Sequence, residues 1–315
     1  MRNKQREANL ALFMASLIWG VAFVAQREGV RYVGAFYFGA IRFTLGALSM
    51  LPILLLMRSK EKNDSEKSDN IKSVPLLKTL PAGLILGSVL FFAATFQQLG
   101  LYYTTAGKAG FITDLYIIIV PVIEIFFGRK LKKIMWLCVA LAVVGLYLIS
   151  VNENFSISQG DVLVFIGSFL WAGHIMLIDN YSKRYNPVRL SVIQYLVTAI
   201  LSLIVALAVE KVSFYGIYKA ALPILFTGIL SVGVAYTLQI IGQKHAKASH
   251  AAIILSMESV VSWIAGILIL HESMSLRGII GCVLMASAMV LTQAGGSVNK
   301  KKLCAESSVP QQKQG

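Results

Sequence analysis

Apolar residues fall along this chain in blocks of roughly 17–25, the length over which a helix crosses the hydrocarbon core of a bilayer. Ten blocks are read, at about 8–26, 33–57, 80–103, 104–127, 133–151, 161–178, 187–209, 217–241, 248–270 and 275–294, with polar stretches between them. The third and fourth run almost into one another. Their break is placed at Tyr103–Gly107, where two threonines and a glycine interrupt the apolar run. The pattern predicts an all-α integral membrane protein of ten transmembrane helices.

Composition agrees with this reading. Of 315 residues 57% are apolar and 14% charged, with a mean hydropathy of +0.71, whereas a soluble domain is about half apolar and a quarter charged. The formal charge of +14 does not point to nucleic acid, because the basic residues sit in short clusters between apolar blocks. With a cytoplasmic N-terminus, the inward segments carry 22 Lys and Arg and the outward loops 6. That asymmetry predicts cytoplasmic N- and C-termini, and hence an even number of helices. The first block follows Arg2, Lys4 and Arg6; it is long for a signal sequence and lacks a small-residue cleavage site, so it is expected to remain as a helix. Residues 58–79 read as a mobile cytoplasmic connector and 295–315 as a cytoplasmic tail, with Lys300, Lys301 and Lys302 near anionic lipid. Cys138, Cys282 and Cys304 have no CxxC spacing, and no His or carboxylate spacing suggests a metal. Walker-type and GxGxxG loops are absent. No cofactor is expected.

The chain repeats internally. At an offset of 142, Leu80-Pro81, Gln97, Gly100, Ala106, Ala109 and Ile112 match Leu222-Pro223, Gln239, Gly242, Ala248, Ala251 and Ile254. At an offset of 152, Ser16-Leu17-Ile18-Trp19-Gly20 matches Ser168-Phe169-Leu170-Trp171-Ala172. The unit is five helices, over 8–151 and 161–294. Five is odd, so the second copy starts on the opposite side of the membrane, and a site is expected near the midplane between the halves.

The residues at this point resemble the drug/metabolite transporter superfamily in its bacterial EamA-like branch. The resemblance rests on Trp19-Gly20 and Trp171-Ala172, Arg42, the run Ala106 to Val122, the run Ala246 to Val260, and Gly160-Asp161 opening the second half. It departs from that pattern at Gly128-Arg129-Lys130 and at Met257-Glu258-Ser259, where a proline kink is expected. The resemblance implies a ten-helix carrier of small metabolites that works without ATP, in a bacterial plasma membrane.

A charge at the centre of a membrane helix costs about 2.5–3.5 kcal/mol on insertion scales, so such residues face a cavity or a partner. Arg42, Asp114 and Glu258 each lie about ten residues from an end of their helix, which puts all three near mid-depth. Arg42 suits a carboxylate or phosphate; Asp114 or Glu258 suits an amine or a proton. The structural alternative is an internal ion pair, Arg42 with Asp114 for instance. Trp19 and Trp171 fall equally deep, as cavity wall or helix packing, with His174 one turn beyond Trp171 as a proton relay or a structural histidine. Gln97 and Gln239, at repeat-related positions, are expected to line the route or to bond between helices. Tyr116, Tyr236 and Phe92 are candidates for aromatic lining or core. Glu124 and Glu272 read as solvated charges near helix ends, and Gly83, Gly87, Ala35 and Gly39 as close-packing positions.

The function expected is a secondary-type permease of small polar metabolites, such as amino acids, working by alternating access. Rivals are a nucleotide-sugar or lipid-linked-sugar carrier and a non-transporting membrane sensor or scaffold. An enzyme is not expected, because no nucleophile–base set or ligand cluster stands at one depth. The partners expected are a small-molecule substrate and the bilayer, with a homodimer left open.

Overall fold

Polar caps mark where the apolar blocks begin. Thr105 accepts from the Lys108 N–H, Ser158 and Asp161 form a reciprocal capping box, and Asn186 accepts from the Val188 and Arg189 N–H groups ahead of Pro187. The computed structural model describes residues 2–65, 76–129, 133–150, 158–270, 276–277 and 279–291, and every regular element among them is a helix. In order these are α1 (Arg2–Gly29), α2 (Ala35–Ser65), α3 (Leu76–Gly100), α4 (Ala106–Thr113), α5 (Tyr116–Phe126), α6 (Lys133–Ser150), α7 (Gln159–Tyr181) and α8 (Pro187–Val209). The short α9 (Phe214–Lys219) follows, then α10 (Ala221–Leu225), a π-helix (Phe226–Tyr236) and α11 (Thr237–Gln243) as one continuous rod. The described part ends with α12 (Ala248–Leu255), α13 (Met257–Leu270) and α14 (Ile279–Leu291).

Among the described residues eight segments are long and apolar enough to span a bilayer; the fifth and tenth apolar blocks appear as the shorter helices Lys133–Gly145 and Ile279–Leu291. The break expected at Tyr103–Gly107 spans Leu101–Thr105, and the eighth span starts at Ala221 because α9 takes up the residues before it. Glu272, Cys304, the tail and residues 66–75 lie outside the described residues.

Packing follows the repeat. α1 lies on α13, the π-helix and α11, while its counterpart α7 lies on α4, α5 and α3. α2 packs on the π-helix as its counterpart α8 packs on α3, and α2 and α8 pack on each other. These pairs are exchanged by a pseudo-two-fold relation between the two halves. Small residues permit the close approaches: a β-carbon at Gly83 or Gly87 would meet Ile193 or Val197 of α8 at 2.3 and 2.6 Å. Leu84, Ile85, Phe92, Phe165, Phe169 and Ile200 point outward and are exposed, as expected of helices immersed in lipid rather than water.

The fourth span and its counterpart are both interrupted midway. At Asp114–Leu115 the ladder tightens, with Leu115 N–H donating to Ile112 O, Ile117 to Asp114 O and Ile118 to Leu115 O. At Ser256 the same happens without a proline, Ser259 N–H donating to Ser256 O at 3.2 Å. The ladder is thus interrupted here although no proline stands at Met257–Ser259.

Candidate functional site: a cavity on the repeat axis

A cavity of about 30 Å3 lies between the halves, room for about two waters and too small for a metabolite in this conformation. Its wall is built in repeat-related pairs: Trp19 with Trp171, Phe23 with Ile175, Gln97 with Gln239, Thr113 with Leu255, and Tyr116 with Glu258. Gln26, Ser231 and Tyr236 complete it.

Tyr236 stands at the centre of the aromatic wall. Its ring stacks on Trp171 (6.0 Å, 11°) and tilts against Trp19 (4.7 Å, 58°). The Trp19 Nε1–H donates to the Ser231 carbonyl at 3.2 Å, a carbonyl of the π-helix. Among the described residues the Trp171 Nε1–H, the Thr113 hydroxyl and the Gln239 Oε1 have no hydrogen-bond partner, although all three residues are more than nine-tenths buried. Unpartnered buried polar groups are uncommon, and these three belong to the wall of one cavity.

Of the residues singled out in the sequence, Trp19, Trp171, Gln97, Gln239, Tyr116 and Glu258 line the cavity. Arg42, Asp114 and His174 are buried just behind it, at 3, 0 and 0% exposure. The Arg42 Nη1–H donates to Gln26 Oε1 at 2.6 Å, and the guanidinium lies over Phe38 and Phe43. Among the described residues it forms no ion pair with Asp114 or any other carboxylate. Gln26, which no motif marked, carries that charge to the cavity wall. Asp114 closes the end of α4 and accepts from the Ser259 hydroxyl. The Tyr116 hydroxyl donates to Glu258 Oε1 at 3.1 Å. His174 shares a hydrogen bond with Gln194 at 3.1 Å and meets Tyr236 edge-on at 6.4 Å.

Two expectations are corrected. Phe92 is 51% exposed on the outer face, so it is not lining. Glu124 is not a solvated charge: it is 1% exposed and ion-paired with Arg129, which also pairs with Asp179. Lys183 holds the other oxygen of Asp179 at 2.7 Å. Gly128, at φ +74°, turns the chain after α5 and so brings Arg129 back to these carboxylates. Hydrogen bonds to Asp179 and Glu124 raise the Arg129 guanidinium above its ordinary pKa.

Comparison with known proteins decides the family. The EamA-like transporter family matches residues 6–151 and again 158–293. The chain belongs to the EamA-like transporter family. Among relatives of this EamA-like chain, an uncharacterized transporter of Archaeoglobus fulgidus is 30% identical over 295 residues, covering 91% of this chain and 86% of the relative. The uncharacterized transporter YoaV of Bacillus subtilis is 24% identical, covering 90% and 95%. A solved crystal structure superposes with a TM-score of 0.72 at 18% identity, over 90% of this chain and 95% of the other, which establishes a shared fold. The EamA-like chain is thus a multi-pass membrane protein of a transporter family.

Proposed function

We propose that this EamA-like protein is a secondary permease of small polar metabolites that carry both an amine and a carboxylate, amino acids and their relatives, in a bacterial inner membrane with both termini cytoplasmic. The observation that carries this is the cavity wall. It is built from repeat-related pairs and holds three buried polar groups without partners, two that donate and one that accepts. Gln26, which accepts from Arg42, and Glu258 both line the cavity, so the space has a positive pole relayed by Gln26 and a carboxyl pole at Glu258. A zwitterion matches both poles, and its donors and acceptors match the unpartnered groups.

The cavity holds only about two waters, so entry requires that the halves move apart on one side at a time. The paired spans and interrupted helices supply the two-fold construction on which alternating access is built. Residues 8–151 and 161–294 then act as the two moving halves.

Uptake and counterflow in proteoliposomes, with a pooled metabolite panel read by mass spectrometry, tests the reading. Saturable exchange of amino-acid-like compounds is expected. Exchange confined to phosphorylated sugars or to lipid-linked compounds would overturn the substrate class. Absence of exchange by folded protein would overturn the permease reading itself.

A further inference from the structure

We infer that the His174–Gln194 pair is a specificity site, which takes a neutral hydrogen-bonding side group of the transported compound, a carboxamide or a hydroxyl. This assignment rests on the permease reading of the cavity and names the kind of side chain that the cavity selects. At the repeat offset of 152, Gln194 occupies in α8 the place that Arg42 occupies in α2. The packing agrees. A β-carbon at Gly87 of α3 would come within 2.8 Å of the Gln194 carbonyl, and one at Gly228 of the π-helix within 3.1 Å of the Arg42 carbonyl. Each of the two side chains bonds to the preceding helix of its own half, Arg42 to Gln26 at 2.6 Å and Gln194 to His174 at 3.1 Å. Where the first half offers a guanidinium, the second offers an amide and an imidazole.

The pair has hydrogen-bonding capacity to spare. Gln194 Oε1 only accepts, so His174 Nε2 carries the proton they share, and the neutral imidazole presents Nδ1 as an acceptor. Among the described residues His174 Nδ1, Gln194 Nε2 and the hydroxyl of Ser191, one turn before Gln194, have no partner, and all three residues are 0% exposed. Other polar groups of α8 are satisfied. The Tyr195 hydroxyl shares a hydrogen bond with Thr237 at 3.0 Å, and the Thr198 hydroxyl donates to the Gly87 and Gln194 carbonyls at 2.9 and 2.8 Å. The shortfall is therefore local, in a protein interior where buried polar groups as a rule find partners. It comprises one acceptor, one donor and a hydroxyl that is both. A carboxamide or a hydroxyl donates and accepts in turn; an aliphatic side chain does neither. A charged side group would lack a counterion, because among the described residues no ion pair includes any member of the cluster.

Position ties the pair to the cavity. The His174 ring meets two rings of the cavity wall at near right angles, Trp171 at 5.9 Å and Tyr236 at 6.4 Å. Ile175, next in sequence, lines the cavity itself. What separates His174 from the cavity is thus aromatic side chain and not backbone. A space of about 30 Å3 has to widen before any compound enters, and displacement of these rings opens it toward His174 and Gln194. With the amine at Glu258 and the carboxylate toward Gln26 and Arg42, the side group of the compound is the part left to reach the pair.

Near-isosteric probes test the site in the full-length protein. Labelled threonine is compared with labelled valine, and asparagine with leucine, as exchange rate over half-saturation in proteoliposomes. A site built to hydrogen-bond a substrate group discriminates strongly against the analogue that lacks it, so the polar member of each pair is expected to win by about tenfold or more. Gln194→Met, which keeps the length of the side chain and removes its amide, should narrow both ratios at least about fivefold. Looser packing alone would lower both members of a pair together and leave the ratio where it was. Equal exchange within both pairs, preference for the apolar members, or ratios unchanged in folded Gln194→Met would overturn the site while leaving the permease reading intact. So would exchange confined to compounds with charged side groups. Where Gln194→Met does not fold, the ratios in the unmodified protein decide. Absence of exchange across the whole metabolite panel would overturn the permease reading, and the specificity site with it.

Discussion

Arg42 is a buried guanidinium whose charge meets two aromatic faces, at 5.5 and 5.0 Å, and one amide. That is weak compensation for a full charge away from water, and in the proposed cycle the compound's carboxylate completes it. Arg42→Ala is expected to lower exchange about tenfold or more, equivalent to at least ~1.4 kcal/mol of lost interaction, while membrane insertion and the size-exclusion profile stay normal. Exchange at the normal rate would show that Arg42 only packs. The large or charged members of the site stood out in the sequence because each is costly at mid-depth: Arg42, Asp114, Glu258 and the two tryptophans. Thr113 and Ser231 did not. Serine and threonine are ordinary in apolar helices, where they bond back to their own turn, as Ser16 does to Phe13 O and Thr44 to Ala40 O. Only the packing shows that the Thr113 hydroxyl makes no such bond. Glu124 was misread because the turn at Gly128 folds Arg129 back onto it together with Asp179 of another helix, and that cross-helix cluster has no local signature.

At the scale of elements, α1 reaches α13 through a glycine. A β-carbon at Gly20 would come within 2.4 Å of the Val261 Cβ and 2.7 Å of the Glu258 carbonyl. Neither is the end of a flexible chain, so the helices would have to part. Gly20→Ala should therefore destabilise the fold by about 1–3 kcal/mol, read as a lower unfolding temperature in detergent. An unchanged temperature would mean that the contact is looser than it looks. The apolar blocks and their approximate ends were legible because twenty-odd apolar residues in a row have one use. The mid-span interruptions were not. Asp114–Leu115 and Ser256 carry neither proline nor glycine, and the tightened ladder there is imposed by cross-packing. The winding of Phe226–Tyr236 as a π-helix, closed by Gly228 and Gly233 against Leu45 and Ser49 of α2, likewise has no periodicity to announce it.

For the whole molecule, pairing of the two halves explains why one cavity collects residues from positions 19 to 258. The repeat was visible as two sequence offsets, and the family match falls twice on the chain. In the proposed cycle, opening one side is the image of opening the other. Perfect images would be degenerate in energy, and the molecule would rest equally often in each. Among the described residues, one difference between the halves lies in a spanning rod: α3 is α-helical throughout, whereas its counterpart is π-wound over eleven residues. Those extra residues per turn lift the degeneracy. A difference of about 1.4 kcal/mol holds roughly nine-tenths of the molecules facing one way. Half-saturation measured from the two faces of oriented vesicles should accordingly differ several-fold, and equal values would rule out the bias. In the proposed cycle the π-wound rod sets which face the resting molecule prefers, while the gradient alone sets the direction of net flow.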